Sequence, residues 1–123
     1  MGDTLMKFPI IFNTGYEVVF ESGEGEEAKS SKKPIQETHE LVIRAMSMDE
    51  YFEANTLKSQ REIWEYILEK QLVTPKNLKD INEWKDNMAT LKYVIHMALN
   101  FTLEPYSELW LPFHTSYEEL TGI

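Results

Sequence analysis

The stretch Ile81-Asn82-Glu83-Trp84-Lys85-Asp86-Asn87-Met88-Ala89-Thr90-Leu91-Lys92-Tyr93-Val94-Ile95-His96-Met97-Ala98 decides how the chain folds. Ile81, Trp84, Met88, Leu91, Ile95 and Ala98 recur at steps of three and four, which gathers them on one stripe of a predicted helix. Val94 and Leu99 widen the stripe, while Lys85, Asp86 and Lys92 fall on other faces. Such a stripe must be buried, so the remaining chain has to provide an apolar surface for it.

Working upstream, Thr74-Pro75 both stops and starts a helix, because proline cannot continue the preceding one and suits the first position of the next. Two readings are open after Pro75, a short separate turn holding Leu78 or one long helix to about Asn100, and the cap offered by Asp80-Ile81-Asn82-Glu83 favours a break near Lys79. Before it, Ser59-Gln60-Arg61-Glu62 opens a helix carrying Ile63, Trp64, Ile67, Leu68 and Leu72. Ser47-Met48-Asp49-Glu50 is a capping box for a shorter helix through Tyr51, Phe52 and Ala54.

The N-terminal part reads as β-structure. Phe8-Pro9-Ile10-Ile11-Phe12 and Tyr16-Glu17-Val18-Val19-Phe20-Glu21 are rich in β-branched and aromatic residues and flank Asn13-Thr14-Gly15, a predicted turn in which Gly15 takes a positive φ. Tyr16, Val18 and Phe20 share one face of a half-buried hairpin, and Pro9 places the first strand at an edge. Residues 22–38 hold little to bury and read as a mobile acidic and basic loop. His39 to Met46 forms a third strand paired with the second. The expected fold is α+β: a small antiparallel sheet packed by three or four α-helices, with an irregular aromatic, acidic tail over 102–123.

The chain has 123 residues, 42% of them apolar, enough for one core and one domain. Its formal charge is −9. Residues 1–56 carry eleven acids and five bases, residues 57–101 six and seven, and residues 102–123 four acids and no base. Direct nucleic-acid binding through a basic surface is therefore not expected, whereas a basic protein partner is compatible with the acidic ends. With no cysteine, thiolate chemistry and disulfides are excluded. Met1 to Lys7 lacks the pattern of a secretory signal and no apolar run reaches transmembrane length, so a cytoplasmic protein is expected.

Chemical motifs are sparse. His39, His96 and His114 lack the short spacings of paired metal ligands, and no cofactor is implied. Glu62, Glu65 and Glu69 lie beside Lys58, Arg61 and Lys70, as in ordinary surface ion pairs. Gly23-Glu24-Gly25 lacks the helix and lysine of a phosphate loop. The most suggestive constellation is the C-terminal Tyr106, Leu109, Trp110, Phe113 and Tyr117, large apolar groups among acids that suit either partner binding or cover for the helices.

The hairpin, the strand running through Leu41-Val42-Ile43-Arg44-Ala45-Met46-Ser47-Met48-Asp49-Glu50-Tyr51, and the compact helices after it resemble small bacteriophage tail-assembly chaperones over residues 8–101. That resemblance implies a non-catalytic protein that binds other virion components during assembly. The expected function is accordingly an assembly or adaptor protein, not an enzyme, with self-association compatible with it. Two other classes are an acidic inhibitor imitating nucleic acid in a basic groove, and a small hydrolase or transferase whose histidine and carboxylate groups meet only in the folded chain.

Overall fold

The computed structural model describes residues 4–21 and 29–116. Strand β1 (Leu5–Glu21) pairs along its length with β2 (Lys29–Arg44) in an antiparallel ribbon. Two short strands complete a four-stranded sheet in the order β3-β2-β1-β4: β3 (Leu72–Thr74) and β4 (His114–Thr115). Three α-helices, α1 (Met48–Asn55), α2 (Gln60–Gln71) and α3 (Met88–Leu103), accompany it. The fold is α+β, as the sequence predicts.

Three boundaries differ from expectation. Asn13-Thr14-Gly15 is not a turn: β1 runs through it, and the pairing skips Thr14 between Asn13 and Gly15. Side chains alternate faces with period two, so one extra residue reverses the facing of everything beyond it. Met6, Phe8, Ile10 and Phe12 point into the core, whereas Tyr16, Val18 and Phe20 continue the opposite, outer face of Ile11. They are exposed rather than half-buried. Gly15 does adopt a positive φ, 158°, with open space around it, so backbone conformation selects glycine there.

The second correction concerns 22–38. Residues 29–38 belong to β2 rather than to a loop, and residues 22–28 lie outside the described part. What would be the third strand is therefore the inner half of β2, and the ribbon is one long hairpin. From Thr14 to Phe20 and from Ser31 to Thr38, every residue is exposed except the half-buried Val19. The ribbon thus splits into a root covered by helices and an arm open on both faces.

The third correction lies in the opening stretch. Ile81–Trp84 is a 3-10 turn, and α3 begins only at Met88. Asp80 caps the turn by accepting the Asn82 N–H at 3.0 Å. Met88, assigned to the buried stripe, is exposed; the stripe of α3 consists of Leu91, Val94, Ile95, Ala98 and Phe101. Lys76–Lys79 forms a separate 3-10 turn that buries Leu78, as expected.

Asn87 explains the break. Its side chain is buried, and its amide bonds the backbone of Asn13 twice: Oδ1 accepts the Asn13 N–H at 2.8 Å and Nδ2 donates to the Asn13 carbonyl at 3.0 Å. One side chain stands in for a neighbouring strand at the open edge of β1, where arm meets body. Pro9, four residues earlier, shares the facing of Asn13, so its missing N–H also points to that edge.

The core joins the root of the ribbon to α2 and α3 through Phe8, Ile10 and Leu41, Ile67 and Leu68, and the stripe of α3, with Trp84 fully buried among them. Both predicted caps form. Ser47 Oγ accepts the Glu50 N–H at 3.2 Å while Glu50 accepts the Ser47 N–H at 2.9 Å, and Ser59 Oγ accepts the Glu62 N–H at 3.1 Å.

Glu50 also receives a two-pronged bond from Arg44, at 3.0 and 2.7 Å, tying the end of β2 to α1. The Arg44 guanidinium outweighs partial burial and lowers the Glu50 carboxyl from 4.5 to about 2. Since the folded value lies below the unfolded one, the stabilisation is present in full above 4.5 and is lost as pH falls towards 2. Glu50→Gln is expected to remove about 1–2 kcal/mol at neutral pH and to flatten this acid window, as read by urea unfolding across pH. An unchanged acid slope would contradict the linkage.

Candidate functional site

The predicted C-terminal constellation is divided by the structure into an inner and an outer set. After α3 the chain turns at Glu104, forms a 3-10 turn over Glu108–Phe113 and returns to β1 as β4, where His114 pairs with Met6 and Thr115 with Leu5. Ser107 begins the turn, its Oγ accepting the Leu109 N–H at 3.4 Å and its carbonyl the Trp110 N–H at 3.1 Å. Trp110 Nε1 donates to the Glu104 carbonyl at 3.0 Å and closes the connection.

Trp110 faces inward. Its ring meets the fully buried Phe101 edge-on at 6.1 Å, and the ring of His114 meets Phe101 at 6.3 Å. This half of the tail covers the end of α3. Tyr106 and Leu109 point outward at 80% and 73% exposure, and Leu111 joins them. Phe113 sits at the margin, and Tyr117 lies outside the described residues. A 3-10 turn has three residues per repeat, so Trp110 and Phe113 fall on one side while Leu109 and Leu111 fall on the others. Leu111 was missed because helical spacing of 3.6 does not select it.

The arm of the ribbon provides a second apolar surface. Ile11, Tyr16, Val18 and Phe20 stand in a row on its outer face, between about half and three-quarters exposed. Pro34 and Lys32 lie opposite Tyr16 and Val18. At its base, Tyr16, Pro34, Asn13, Gln36, Gly15 and Asp86 line an open hollow of about 740 Å³. Hydrophobicity alone does not announce this surface in the sequence, because its exposure depends on the skipped Thr14.

A smaller cleft of about 330 Å³ lies between α2, the Ile81–Trp84 turn and α3, floored by Trp64, Ile81, Trp84 and Leu91 and rimmed by Arg61 and Lys85. Arg61 is engaged with Glu65 at 2.8 Å and with Asn82 at 3.3 Å, the ordinary surface pairing expected for these helical acids.

The histidines are scattered. His39 bonds Glu37 at 3.2 Å and lies edge-on to Phe12, His96 is exposed on α3, and His114 packs on Phe101 with its Nε2 buried and without a hydrogen-bond partner. Among the described residues there is no group of three or more His, Asp or Glu placed to hold a metal ion. No helix among them is long and apolar enough to cross a membrane.

No protein-family model, curated protein or solved structure matches the chain.

Proposed function

We propose that this is a non-catalytic assembly or adaptor protein that works by binding another protein, in the manner implied by its resemblance to small bacteriophage tail-assembly chaperones. The supporting observation is the division of the tail. Trp110 spends its ring on the chain's own core, while Tyr106, Leu109 and Leu111 beside it hold large apolar surface in water. Apolar groups that do not serve the fold are the usual currency of recognition, and Glu104 and Glu108 among them favour a partner with basic groups around an apolar patch. Self-association belongs to the same reading. A cytoplasmic setting agrees with a chain that has no cysteine.

Co-purification from the native host separates the two roles of the tail. Tyr106→Ser with Leu109→Ser is expected to lose the proteins recovered with the wild-type chain while keeping its far-UV circular dichroism. Recovery of the same proteins in undiminished amount would remove the tail as the interface.

A further inference from the structure

We infer that two copies of the chain pair through the outer faces of their β-arms, with Ile11, Tyr16, Val18 and Phe20 of each copy forming the contact. This deepens the self-association included in the proposed function, at a surface separate from the tail.

An isolated two-stranded ribbon gains little stability in water and needs a third strand, a helix or a second sheet against it. Beyond Asn87 the arm has none of these among the described residues: both of its faces are exposed. Its outer face nevertheless carries Tyr16, Val18 and Phe20, placed by the skip at Thr14 in a row that continues from Ile11. The inner face mixes charged and apolar groups, with Glu17 opposite Lys33 between Val19 and Ile35. The larger and more exposed apolar side chains of the arm are therefore directed away from its own helices.

Three features favour a second copy as the occupant. The first is area: two exposed aromatics and two exposed branched residues offer about 500 Å² per copy, or about 1,000 Å² in a pair, which meets the lower threshold for a biological interface. The second is shape. A two-fold axis near Val18 sets Phe20 of one copy over Tyr16 of the other, where the open hollow with Pro34 can receive a ring, and the same contact repeats by symmetry. The third is charge. The whole chain is strongly acidic, but Lys32 is the only charged side chain among the described residues of the outer face from Asn13 outward, so, apart from Asp86 at the edge of the hollow, this surface lets two acidic molecules meet without opposing carboxylates.

Sedimentation equilibrium of the full chain tests the pairing. Wild-type protein at about 100 µM is expected to show twice the 14.5 kDa chain mass. Tyr16→Ser with Phe20→Ser should weaken association by at least about 100-fold and give the single-chain mass, with unchanged circular dichroism because these side chains make no core contact. Val18→Arg, a single change at the axis, should do the same. A wild-type chain that stays at single-chain mass, or arm variants that keep the doubled mass, would overturn the inference. If Tyr106→Ser with Leu109→Ser dissolves the pair and the arm variants do not, the tail is the self-contact and the arm is not. Failure of arm pairing leaves the co-purification test of the tail unaffected, so the two readings fall separately.

Discussion

Trp84→Ala is expected to cost about 3–5 kcal/mol, a large share of the roughly 5–15 kcal/mol that holds a domain of this size together. Trp84 is fully buried, its ring meets the Phe12 ring in an edge-to-face arrangement with centroids 5.4 Å apart, and its Nε1 donates to the Leu78 carbonyl at 2.7 Å. Truncation opens a cavity where the ribbon root, the two 3-10 turns and α3 converge. It also removes the donor from a buried carbonyl, so the surroundings cannot simply collapse inward. Trp84→Phe keeps most of the volume and loses the N–H, and should cost about 1–3 kcal/mol. Urea unfolding followed by circular dichroism gives both values. A loss below about 1 kcal/mol for the alanine variant would contradict the packing described.

Gln71→Leu should cost about 2–4 kcal/mol although it nearly preserves volume and adds apolar surface. Gln71 is 1% exposed at the junction of α2 and β3. Its Nε2 donates to the carbonyls of Arg44 and Ala98, both at 2.9 Å, and lies 2.8 Å from the Thr102 hydroxyl, which itself accepts the Met46 N–H at 3.1 Å. Two carbonyls facing the amide require its nitrogen there, which fixes the orientation and leaves Oε1 without a partner. The amide thus ties the end of β2, the start of β3 and the last turns of α3 together. Leucine offers no donor to any of them. A thermal unfolding midpoint equal to or above that of the wild type would show that burial outweighs these bonds.

The parts of the fold legible in the sequence are those set by local chemistry. Ser47 with Glu50 and Ser59 before α2 act within one turn of themselves, so their pattern suffices to start both helices at the right place. Leu78 in its own turn and the cap at Asp80 are of the same kind. What escaped reading depends on residues far along the chain. Ile81 and Trp84 are three apart, a step that suits a 3-10 turn as well as an α-helix, and only the bonds between Asn87 and Asn13 show why α3 waits until Met88. Likewise, Asn13-Thr14-Gly15 has the composition of a turn, and its use as a bulge follows from a partner strand that the polar sequence of 29–38 conceals.

The candidate surfaces follow the same division. That the tail carries large apolar groups is plain from Tyr106, Leu109, Trp110 and Phe113, but which of them cover the core depends on Phe101 and on the return to β1. The exposed row on the arm was hidden for a different reason: Tyr16, Val18 and Phe20 alternate as core-facing residues do, and one skipped position sends them outward.

If the outward apolar groups of the tail serve recognition and the inward ones serve the fold, the two sets must differ sharply in what they contribute to stability. Urea unfolding of Tyr106→Ser with Leu109→Ser, beside Trp110→Ala, measures that difference. A change within about 0.5 kcal/mol is expected for the outward pair and a loss of about 2 kcal/mol or more for Trp110→Ala. Equal, large losses for both would rule this division out, because the whole tail would then be a cover for the core.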